Sequence, residues 1–563
     1  MKKSRKIIIT FLAITSLIML ALSLTACKTS SLAKKLDMPL NAKIEISHRK
    51  SGTEYFIYWD AVDGAEKYSI TIDGKQTESK TNSLNATTFM TEGSYSRVNI
   101  QALGNGITTR ESDVNKAVLQ AEKVSDILVF QLSGDGTFYS VSSYAMDKES
   151  LAGKIVMPDY FNGLPVEEVA EKGFFIAGDG VINPSTGVGC NNVSTSFRFP
   201  KYLKKISDLA FAYCTVVKDV KLPETVTEIG AQAFYSCLRL QNIDLSNVTS
   251  IGNRAFEGCK ALSKTELSAD IVHMGIMVFD GTNVVENSVG DAIILGNVLY
   301  GLTDKTLTEY TVPNNVTKFA GGAFANCNKL EKIDYSHDVE FLGDYTFYNC
   351  SALKSATVSQ NQTEIGEYDF YNCSSLTEIA LPIGLKSIGD FAFYKCSSLK
   401  EVAIHSGVTG IGDAAFSETA ITSIVLPEGL NKVGYATFLS CRNLTEVTLP
   451  ETLEEIGEIA FAQCRLKSIV IPESVKKINT SFIAYSTACK SIYYLGTKDE
   501  YDAIELVDTD SNGEALPSDY TAAYRIATIY YYSETEPQLN ADGNGYAGSF
   551  WRFVDGVATP WTI

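Results

Sequence analysis

Cysteine is the reactive residue with the most regular spacing in this sequence. Twelve cysteines occur, and most of them recur about every 23 residues in similar segments such as FYNCSS and FYKCSS. A zinc site, a series of disulfides, a reactive thiol and a packed core position are four explanations of such a pattern. The cysteines are Cys27, Cys190, Cys214, Cys237, Cys259, Cys327, Cys350, Cys373, Cys396, Cys441, Cys464 and Cys489.

Metal binding and nucleophilic catalysis lack the residues that would complete a site. A zinc site needs three or four ligands that converge on one point, whereas one cysteine per repeat forms a column. There is no C-x-x-C pair, and the four histidines, His48, His273, His337 and His405, keep no ligand-like spacing to a cysteine. No G-x-S-x-G turn, Walker loop or dinucleotide fingerprint occurs. We therefore predict that the protein is not an enzyme and that it uses no cofactor.

Disulfides between neighbouring repeats and free core thiols remain as explanations of the column. Export to an oxidising compartment favours disulfides, and adjacent coils lie within bridging distance. However, Thr282 and Thr419 occupy the cysteine position in two repeats, which suits a packing position better than an obligate partner. We predict that the repeat cysteines are free and buried, where they behave as small hydrophobic residues.

One acidic segment has the spacing of a calcium loop. In DTDSNGEALPSD, oxygen-bearing side chains stand at loop positions 1, 3, 5 and 12, as Asp508, Asp510, Asn512 and Asp519. Pro517 stiffens the second half of the segment, and position 12 is not the preferred glutamate. Because Asp, Asn, Ser and Gly also form ordinary turns, calcium binding here is the alternative to a turn without a metal.

A repeat of 21 to 23 residues accounts for the cysteine spacing and predicts the elements that carry it. Its consensus is L-x-x-I-x-L-P-x-x-(V/L)-x-x-I-G-x-x-A-F-x-x-C. The alternating LTEIALP part predicts a short strand that the proline ends, the glycine predicts a tight turn, and the AF–C part predicts a turn or short helix. Since one such unit cannot bury its apolar side alone, we predict a solenoid of about 14 coils.

These repeats resemble the BspA-like leucine-rich repeats of bacterial cell-surface proteins. The segments LSGDGTFYSV and MPDYFNGLPVEEVAEKGF are similar to the start of that family's array, and FWRFVDGVATPW is similar to its C-terminal region. The resemblance covers residues 127–563 and implies a mainly β fold. It implies a solenoid at 127–495, an aromatic-rich C-terminal cap at 496–563, and an adhesin-type role toward host or neighbouring-cell proteins, including extracellular matrix.

Residues 39–120 alternate between apolar and polar side chains in short stretches separated by turn residues, which predicts a small β-sandwich. The stretch YWDAVDGAEKYSITIDG resembles the fibronectin type III domains of bacterial surface proteins. In that pattern Trp59 and Tyr68 belong to the core.

The pattern of the N-terminal residues predicts an export signal. Residues 1–26 combine the basic stretch MKKSRK with a long apolar run, and they end in LTAC, which resembles the bacterial lipobox. That resemblance implies cleavage before Cys27 and attachment of a lipid to its sulfur. Residues 27–38 then form a tether, and the protein is held at the bacterial membrane facing outward.

The net charge and the repeat geometry limit the kinds of partner that the protein is expected to bind. The net charge of −18, with no basic run beyond the leader, disfavours nucleic acid. Repeat proteins bind partners on long faces, so we predict a protein ligand on the outward strand positions. An envelope scaffold and a carbohydrate-binding protein that uses its C-terminal tryptophans are the alternatives. The predicted face consists of Thr377, Glu378, Thr422, Ser423, Thr445, Glu446, Lys467 and Ser468.

Overall fold

The computed structural model describes most of the chain from Lys34 onward. It forms two compact units, one that ends at Glu228 and adds Cys237–Ile243, and one that takes Ile229–Ser236 and continues from Asp244. The described residues are 34–49, 52–106, 109–143, 153–175, 196–288, 290–334, 338–341 and 343–562.

The first unit begins with two antiparallel sheets. Short strands occur throughout residues 39–120, as the alternation predicted, and Trp59 and Tyr68 are buried with their rings 5.1 Å apart, which confirms their core positions. The fibronectin type III assignment stays a prediction. One sheet contains Lys43–Arg49, Gly52–Tyr58 and Ser83–Asn85, and the other contains Lys75–Ser79, Lys67–Ile72, Tyr95–Leu103 and Asn115–Gln120. Lys34–Lys35 and Thr109–Arg110 form a separate parallel pair.

A buried carboxylate joins these sheets to the strands that follow. Tyr160–Phe161 pairs in parallel with Ser47 and His48 of the N-terminal sheet, and Asp159 stands directly before it. The Asp159 carboxylate accepts hydrogen bonds from the Ile46 amide at 2.6 Å, the Lys201 amide at 2.7 Å and the Arg198 guanidinium at 2.7 Å. Its full burial is therefore matched by donors from both regions. The other connecting strands are Leu128–Leu132, Tyr139–Ser143 and Leu164–Val169.

Most regular coils contain two short parallel strands, whereas the sequence predicted one; in the coil that contains Val402, the second strand Gly410–Ile411 occurs without a first. The first strand confirms the prediction for the LTEIALP part; Glu378–Ala380 is an example. First strands occur at Lys154–Val156, Ser196–Arg198, Asp219–Val220, Asn242–Leu245, Lys264–Leu267, Glu309–Thr311, Lys332–Asp334, Ser355–Thr357, Glu378–Ala380, Ser423–Val425, Glu446–Thr448, Ser468–Ile471 and Ser491–Tyr494.

The second strand lies directly before the repeat glycine, where a turn alone was predicted. Ser387–Ile388 pairs with Glu364–Ile365 of the preceding coil and Gly410–Ile411 of the following coil. Second strands occur at Lys205–Ile206, Glu228–Ile229, Ser250–Ile251, His273–Met274, Val298–Leu302, Lys318–Phe319, Glu340–Phe341, Glu364–Ile365, Ser387–Ile388, Gly410–Ile411, Lys432–Val433, Glu455–Ile456, Lys477–Asn479 and Glu505–Val507.

The repeat glycine is explained by close packing between coils. A Cβ atom on Gly389 would lie 2.7 Å from the Glu367 amide nitrogen, and one on Gly412 would lie 2.5 Å from that of Asp390. Real Cβ atoms do not approach backbone so closely, so the glycine lets successive coils touch. The segment from this glycine to the cysteine, here named the turn segment, is a turn, as predicted.

Phenylalanine side chains form the centre of the solenoid. Phe370 stacks on Phe393 with ring centroids 5.3 Å apart and planes 3° apart, and Phe393 stacks on Phe416 in the same way. These rings are fully buried among leucine, isoleucine and cysteine side chains of one continuous core cluster. The repeat period therefore becomes a set of columns, because each coil places equivalent side chains over those of the preceding coil.

The second unit departs from the repeat in two places. Between Phe279 and Phe324, an antiparallel hairpin of Ala292–Leu295 and Val298–Leu302 replaces a regular coil. At the C-terminal end, Thr528–Tyr532, Phe550–Val554 and Val557–Pro560 extend the sheet of first strands, and Trp551 is fully buried. The described residues contain helices at Asn283–Glu286, Lys498–Asp502 and Ser518–Ile526.

Candidate binding surface

The repeat thiols are free and buried wherever the structure describes them, which confirms the core prediction for those cysteines. Seven of these thiols also have a polar role that the sequence did not reveal: Cys237, Cys259, Cys350, Cys373, Cys396, Cys441 and Cys464. Cys373 Sγ donates to the carbonyl oxygen of Phe347 at 3.2 Å, and Cys396 Sγ donates to that of Phe370 at 3.1 Å. The column therefore supplies a donor to a buried carbonyl of the preceding coil.

Threonine and serine also provide a buried donor in three coils that lack cysteine at this position, although only the serine reaches a carbonyl of the preceding coil. Thr419 Oγ1 donates to the Phe416 carbonyl at 2.8 Å, and Thr282 Oγ1 donates to the Phe279 carbonyl at 2.6 Å, in each case within its own coil. In the last coil Ser486 Oγ donates to the carbonyl of Phe461 at 3.0 Å. The residues that replace cysteine thus share a small size and a hydrogen-bond donor.

Burial makes these thiols poor nucleophiles. Removal from water raises the pKa of the Cys373 thiol well above its ordinary value. The same cause raises the pKa of Cys441 to about 11 and that of Cys489 to about 11. Because the thiolate is the reactive form, such groups are unsuited to catalysis.

The residues of the possible calcium loop have separate partners. Asp510 Oδ1 accepts hydrogen bonds from the amides of Asn512 and Glu514, both at 2.9 Å, as in an ordinary Asx turn. Asp508 accepts from the Thr480 hydroxyl, and Asp519, on the helix Ser518–Ile526, accepts from Tyr485 Oη at 2.7 Å. Within the described ranges, no group of three or more acidic, histidine or cysteine side chains is placed to hold a metal. Calcium binding stays a prediction.

Two of the four histidines lie close to oxygen atoms of neighbouring residues. His405 Nε2 lies 3.0 Å from the Leu381 carbonyl oxygen, and His48 Nδ1 lies 3.0 Å from Thr53 Oγ1. Cys27, Cys190 and His337 lie outside the described residues. In the part of the chain that the structure describes, no helix has the length and apolar character needed to cross a bilayer.

The predicted binding-face residues lie at the starts of the first strands. Ser423 pairs with Glu446 in parallel register, and Thr445 Oγ1 lies 3.3 Å from the Thr422 carbonyl oxygen. The predicted residues are exposed except for Ser468, which is half-buried. The strand residues between the outward positions, such as Ile424 and Val447, turn toward the core. The first strands therefore present a face of small and polar side chains in register.

Two aromatic columns on the turn segments form a second surface, here named the aromatic ladder. It consists of Tyr345, Tyr348, Tyr368, Tyr371, Phe391 and Tyr394, all half-buried. Tyr345 stacks on Tyr368 at 4.7 Å with planes 13° apart, and Tyr348 stacks on Tyr371 at 4.9 Å with planes 15° apart. The members of both columns recur every 23 residues, a spacing that marks them as equivalent positions of successive coils.

The first ladder column has an unusual backbone. Tyr345, Tyr368 and Phe391 have φ values of 62°, 57° and 55°, the left-handed region that bulky residues rarely adopt. The position two residues before the core phenylalanine has a positive φ in most regular coils, with side chains as different as Ala414 and Met277. The turn geometry therefore fixes this backbone, and the local sequence decides which side chain is displayed.

Solved structures similar to this chain are leucine-rich repeat proteins. A protein from Bacteroides ovatus is 23% identical over 68% of this chain and 98% of its own, with a TM-score of 0.30. A leucine rich cell surface protein from Faecalibacterium prausnitzii is 18% identical over 68% and 97%, with a TM-score of 0.21. The T. pallidum leucine rich repeat protein is 19% identical over 61% and 89%, with a TM-score of 0.18. These TM-scores are low, so nothing said of this chain rests on the likeness.

The repeats themselves match a known family. A comparison with curated proteins found no match. The BspA type leucine rich repeat region matches residues 188–301, 297–385 and 363–490, in six copies. The matched residues make up more than half of the 563 residues and coincide with the stacked coils described above. The chain therefore belongs to the BspA type leucine-rich repeat family.

Proposed function

We propose that this chain is an exported lipoprotein, anchored through Cys27, whose repeat array binds a protein ligand on another cell or in the extracellular matrix. The lipobox-like LTAC motif supports the anchor, and the net charge of −18 supports a partner other than nucleic acid. The resemblance of the repeats to surface adhesins supports the adhesive role. Binding, rather than catalysis, is the activity that these features favour.

The in-register face of the first strands carries the proposal. Thr422, Ser423, Thr445 and Glu446 stand on neighbouring coils with their side chains exposed. Thr422, Ser423 and Thr445 have short side chains, which lose little conformational entropy when a partner covers them. A partner can therefore contact several coils at once, which is how repeat proteins obtain extended interfaces.

A soluble chain of residues 28–563 tests the protein-binding role. It is immobilised and exposed to purified extracellular matrix proteins and to extracts of surface proteins from neighbouring bacteria. We expect retention of a partner, and we expect Thr445→Arg to abolish it because the long charged side chain obstructs the face. Glu364→Arg, at an exposed second-strand position, is the matched control and should leave retention unchanged.

Two results would contradict the proposal. One is retention that is equally strong for Thr445→Arg and for the unmodified chain, which would remove the face from the interface. The other is the absence of any retained protein. The anchor is tested separately in intact cells, where Cys27→Ala should prevent incorporation of a labelled fatty acid and release the protein from the membrane fraction.

A further inference from the structure

A cavity of about 570 Å³ opens on the turn-segment side of the second unit. It lies where the irregular hairpin interrupts the repeat, between the turn segment that contains Met277 and Asp280 and the one that contains Gly322 and Ala325. Tyr345 and Tyr348, the first members of the aromatic ladder, also line it. Cavities of this size are typical of sites that enclose a side chain or a small ligand.

The cavity exists because two rings of the ladder are missing. Gly322 and Ala325 occupy the repeat positions that Tyr345 and Tyr348 occupy one coil later. Tyr345 and Tyr348 are each covered on one face, by Tyr368 and Tyr371. The opposite ring faces of Tyr345 and Tyr348 are directed toward Gly322 and Ala325. These two residues have no aromatic ring that could stack on them. The ladder therefore ends at two aromatic faces that border an open space.

The hairpin between the two turn segments widens this space. It contributes Ile293, Tyr300 and Leu302 to the cavity wall, and these side chains are buried. Lys305 Nζ donates to the Ala325 carbonyl at 2.9 Å, which holds the lysine against the wall. The interior is thus mainly apolar and aromatic, a lining that favours an apolar ring over a heavily hydroxylated ligand.

The rim adds a preference for positive charge. Asp280 Oδ1 accepts a hydrogen bond from Tyr300 Oη at 2.5 Å, which positions that carboxylate at the cavity, and Glu286 lies exposed on the same lining. The two carboxylates outnumber the single ammonium group of Lys305 on the lining, so the cavity suits an aromatic side chain that has a lysine or arginine beside it. Aromatic anchors of this kind dominate the binding energy of many protein interfaces.

We propose that this cavity binds an aromatic side chain of a protein ligand, which stacks on Tyr345 and Tyr348 while a neighbouring basic residue reaches Asp280 and Glu286. The site rests on the proposed protein-binding function and gives it a defined anchor point. The ligand's ring occupies a place that the repeat leaves empty, so binding continues the aromatic ladder without a rearrangement of the coils.

The test uses short peptides and the soluble chain of residues 28–563. Binding of acetyl-Lys-Trp-Lys-amide is followed by saturation-transfer NMR and titration, beside acetyl-Lys-Ala-Lys-amide and acetyl-Glu-Trp-Glu-amide. We expect signals from the indole of the first peptide, none from the alanine peptide, and binding of the acidic peptide that is at least about tenfold weaker. Added salt should weaken binding of the Lys-Trp-Lys peptide, because its interaction with the carboxylates of Asp280 and Glu286 is electrostatic.

Two variants locate the binding. Ala325→Tyr supplies a missing ring and should weaken the Lys-Trp-Lys peptide at least about tenfold. Leu439→Tyr adds a ring at the same repeat position away from the cavity and should have no effect, which makes it the matched control. Tyr345→Ser removes one stacking face without filling the cavity and should also weaken binding. Thermal unfolding of each variant shows whether it is folded.

Three outcomes would overturn the proposal. Equal binding of the tryptophan and alanine peptides would remove the aromatic preference, and an absence of binding by all three peptides would remove the site. Maltotetraose or chitotetraose signals that Ala325→Tyr abolishes, without tryptophan-peptide signals, would assign the cavity to sugars instead. If Ala325→Tyr retains the matrix partner that Thr445→Arg loses, the proposed function stands and this anchor site does not.

Discussion

The Cys373 thiol donates a hydrogen bond to the carbonyl oxygen of Phe347, 26 residues earlier in the chain and one coil away, at 3.2 Å. The same bond recurs from Cys350 to Phe324 at 3.0 Å and from Cys464 to Phe438 at 3.2 Å. In these coils the thiol links a turn segment to the phenylalanine of the preceding coil. The Phe347 carbonyl also accepts from the Cys350 amide at 3.1 Å, so the thiol is its second donor and adds a modest hydrogen-bond contribution to the apolar packing.

We expect Cys373→Ala to lower the free energy of unfolding by roughly 1–3 kcal/mol, because it removes the second donor of the Phe347 carbonyl, which keeps the Cys350 amide, and opens a small void. Cys373→Thr should cost less, since threonine occupies the equivalent position at Thr282 and Thr419. Urea unfolding of the soluble chain measures both. Equal losses for alanine and threonine would show that a side-chain donor at this position makes no measurable contribution to stability.

Thiol accessibility gives a second prediction. Burial raises the pKa of Cys373, Cys441 and Cys489, so little thiolate is present at neutral pH and reagents cannot reach the sulfur atoms. The folded chain should therefore react very slowly with an aromatic disulfide reagent at its described cysteines. Addition of denaturant should release full reactivity. Rapid labelling of Cys373 in the folded chain, identified by peptide mass, would contradict this arrangement.

A buried aspartate predicts a specific dependence of stability on pH. Asp369 is fully buried and accepts hydrogen bonds from the amides of Thr346 at 2.9 Å and Gly366 at 2.8 Å. Its removal from water outweighs these bonds and raises the pKa of Asp369 to about 7. The folded state then holds the proton more tightly than the unfolded state, where the pKa is about 3.9. This group's contribution to stability therefore falls as pH rises from about 4 to about 7.

Asp369→Ala should flatten that dependence, because alanine occupies the same repeat position in Ala392 and Ala415. Between about pH 5 and about pH 8, the unmodified chain should lose roughly 2–3 kcal/mol more of its unfolding free energy than the variant loses. Denaturation at both pH values, with each protein compared against itself, removes the contribution of all other titrating groups. Parallel profiles would show that Asp369 titrates alike in both states.

The Asp159–Arg198 pair should be the most sensitive ion pair in the first unit. Asp159 has no exposed surface and meets the guanidinium through two bonds, at 2.7 Å and 3.1 Å. Asp159→Ala leaves the Ile46 and Lys201 amides without this acceptor and removes the nearer carboxylate of Arg198, which keeps Glu122 at 3.4 Å and the Met157 carbonyl at 2.7 Å, so we expect a loss of roughly 3–5 kcal/mol. The exposed Lys35–Asp113 pair provides the control, and Asp113→Asn should cost at most about 1 kcal/mol. Similar losses of unfolding free energy for Asp159→Ala and Asp113→Asn would contradict the idea that burial gives the Asp159–Arg198 pair its importance.

The amino-acid sequence by itself determined the repeat period, the first strand of each coil and the burial of the cysteines. Those features depend on residue types at a fixed spacing, since every coil must place its apolar side chains over those of its neighbours. The composition of the cysteine position, with Thr282 and Thr419 as substitutes, was sufficient to favour a packed column.

The tertiary structure decided what each column does. The second strand, the contact at Gly389 and the bond from Cys373 to Phe347 all join atoms of different coils, and their geometry depends on how closely the coils stack. The cavity beside Tyr345 arises in the same way, because an irregular hairpin and two small residues leave space at a place that no local pattern marks. A repeat tells which residues are equivalent, whereas only the packed coils show which of those residues meet.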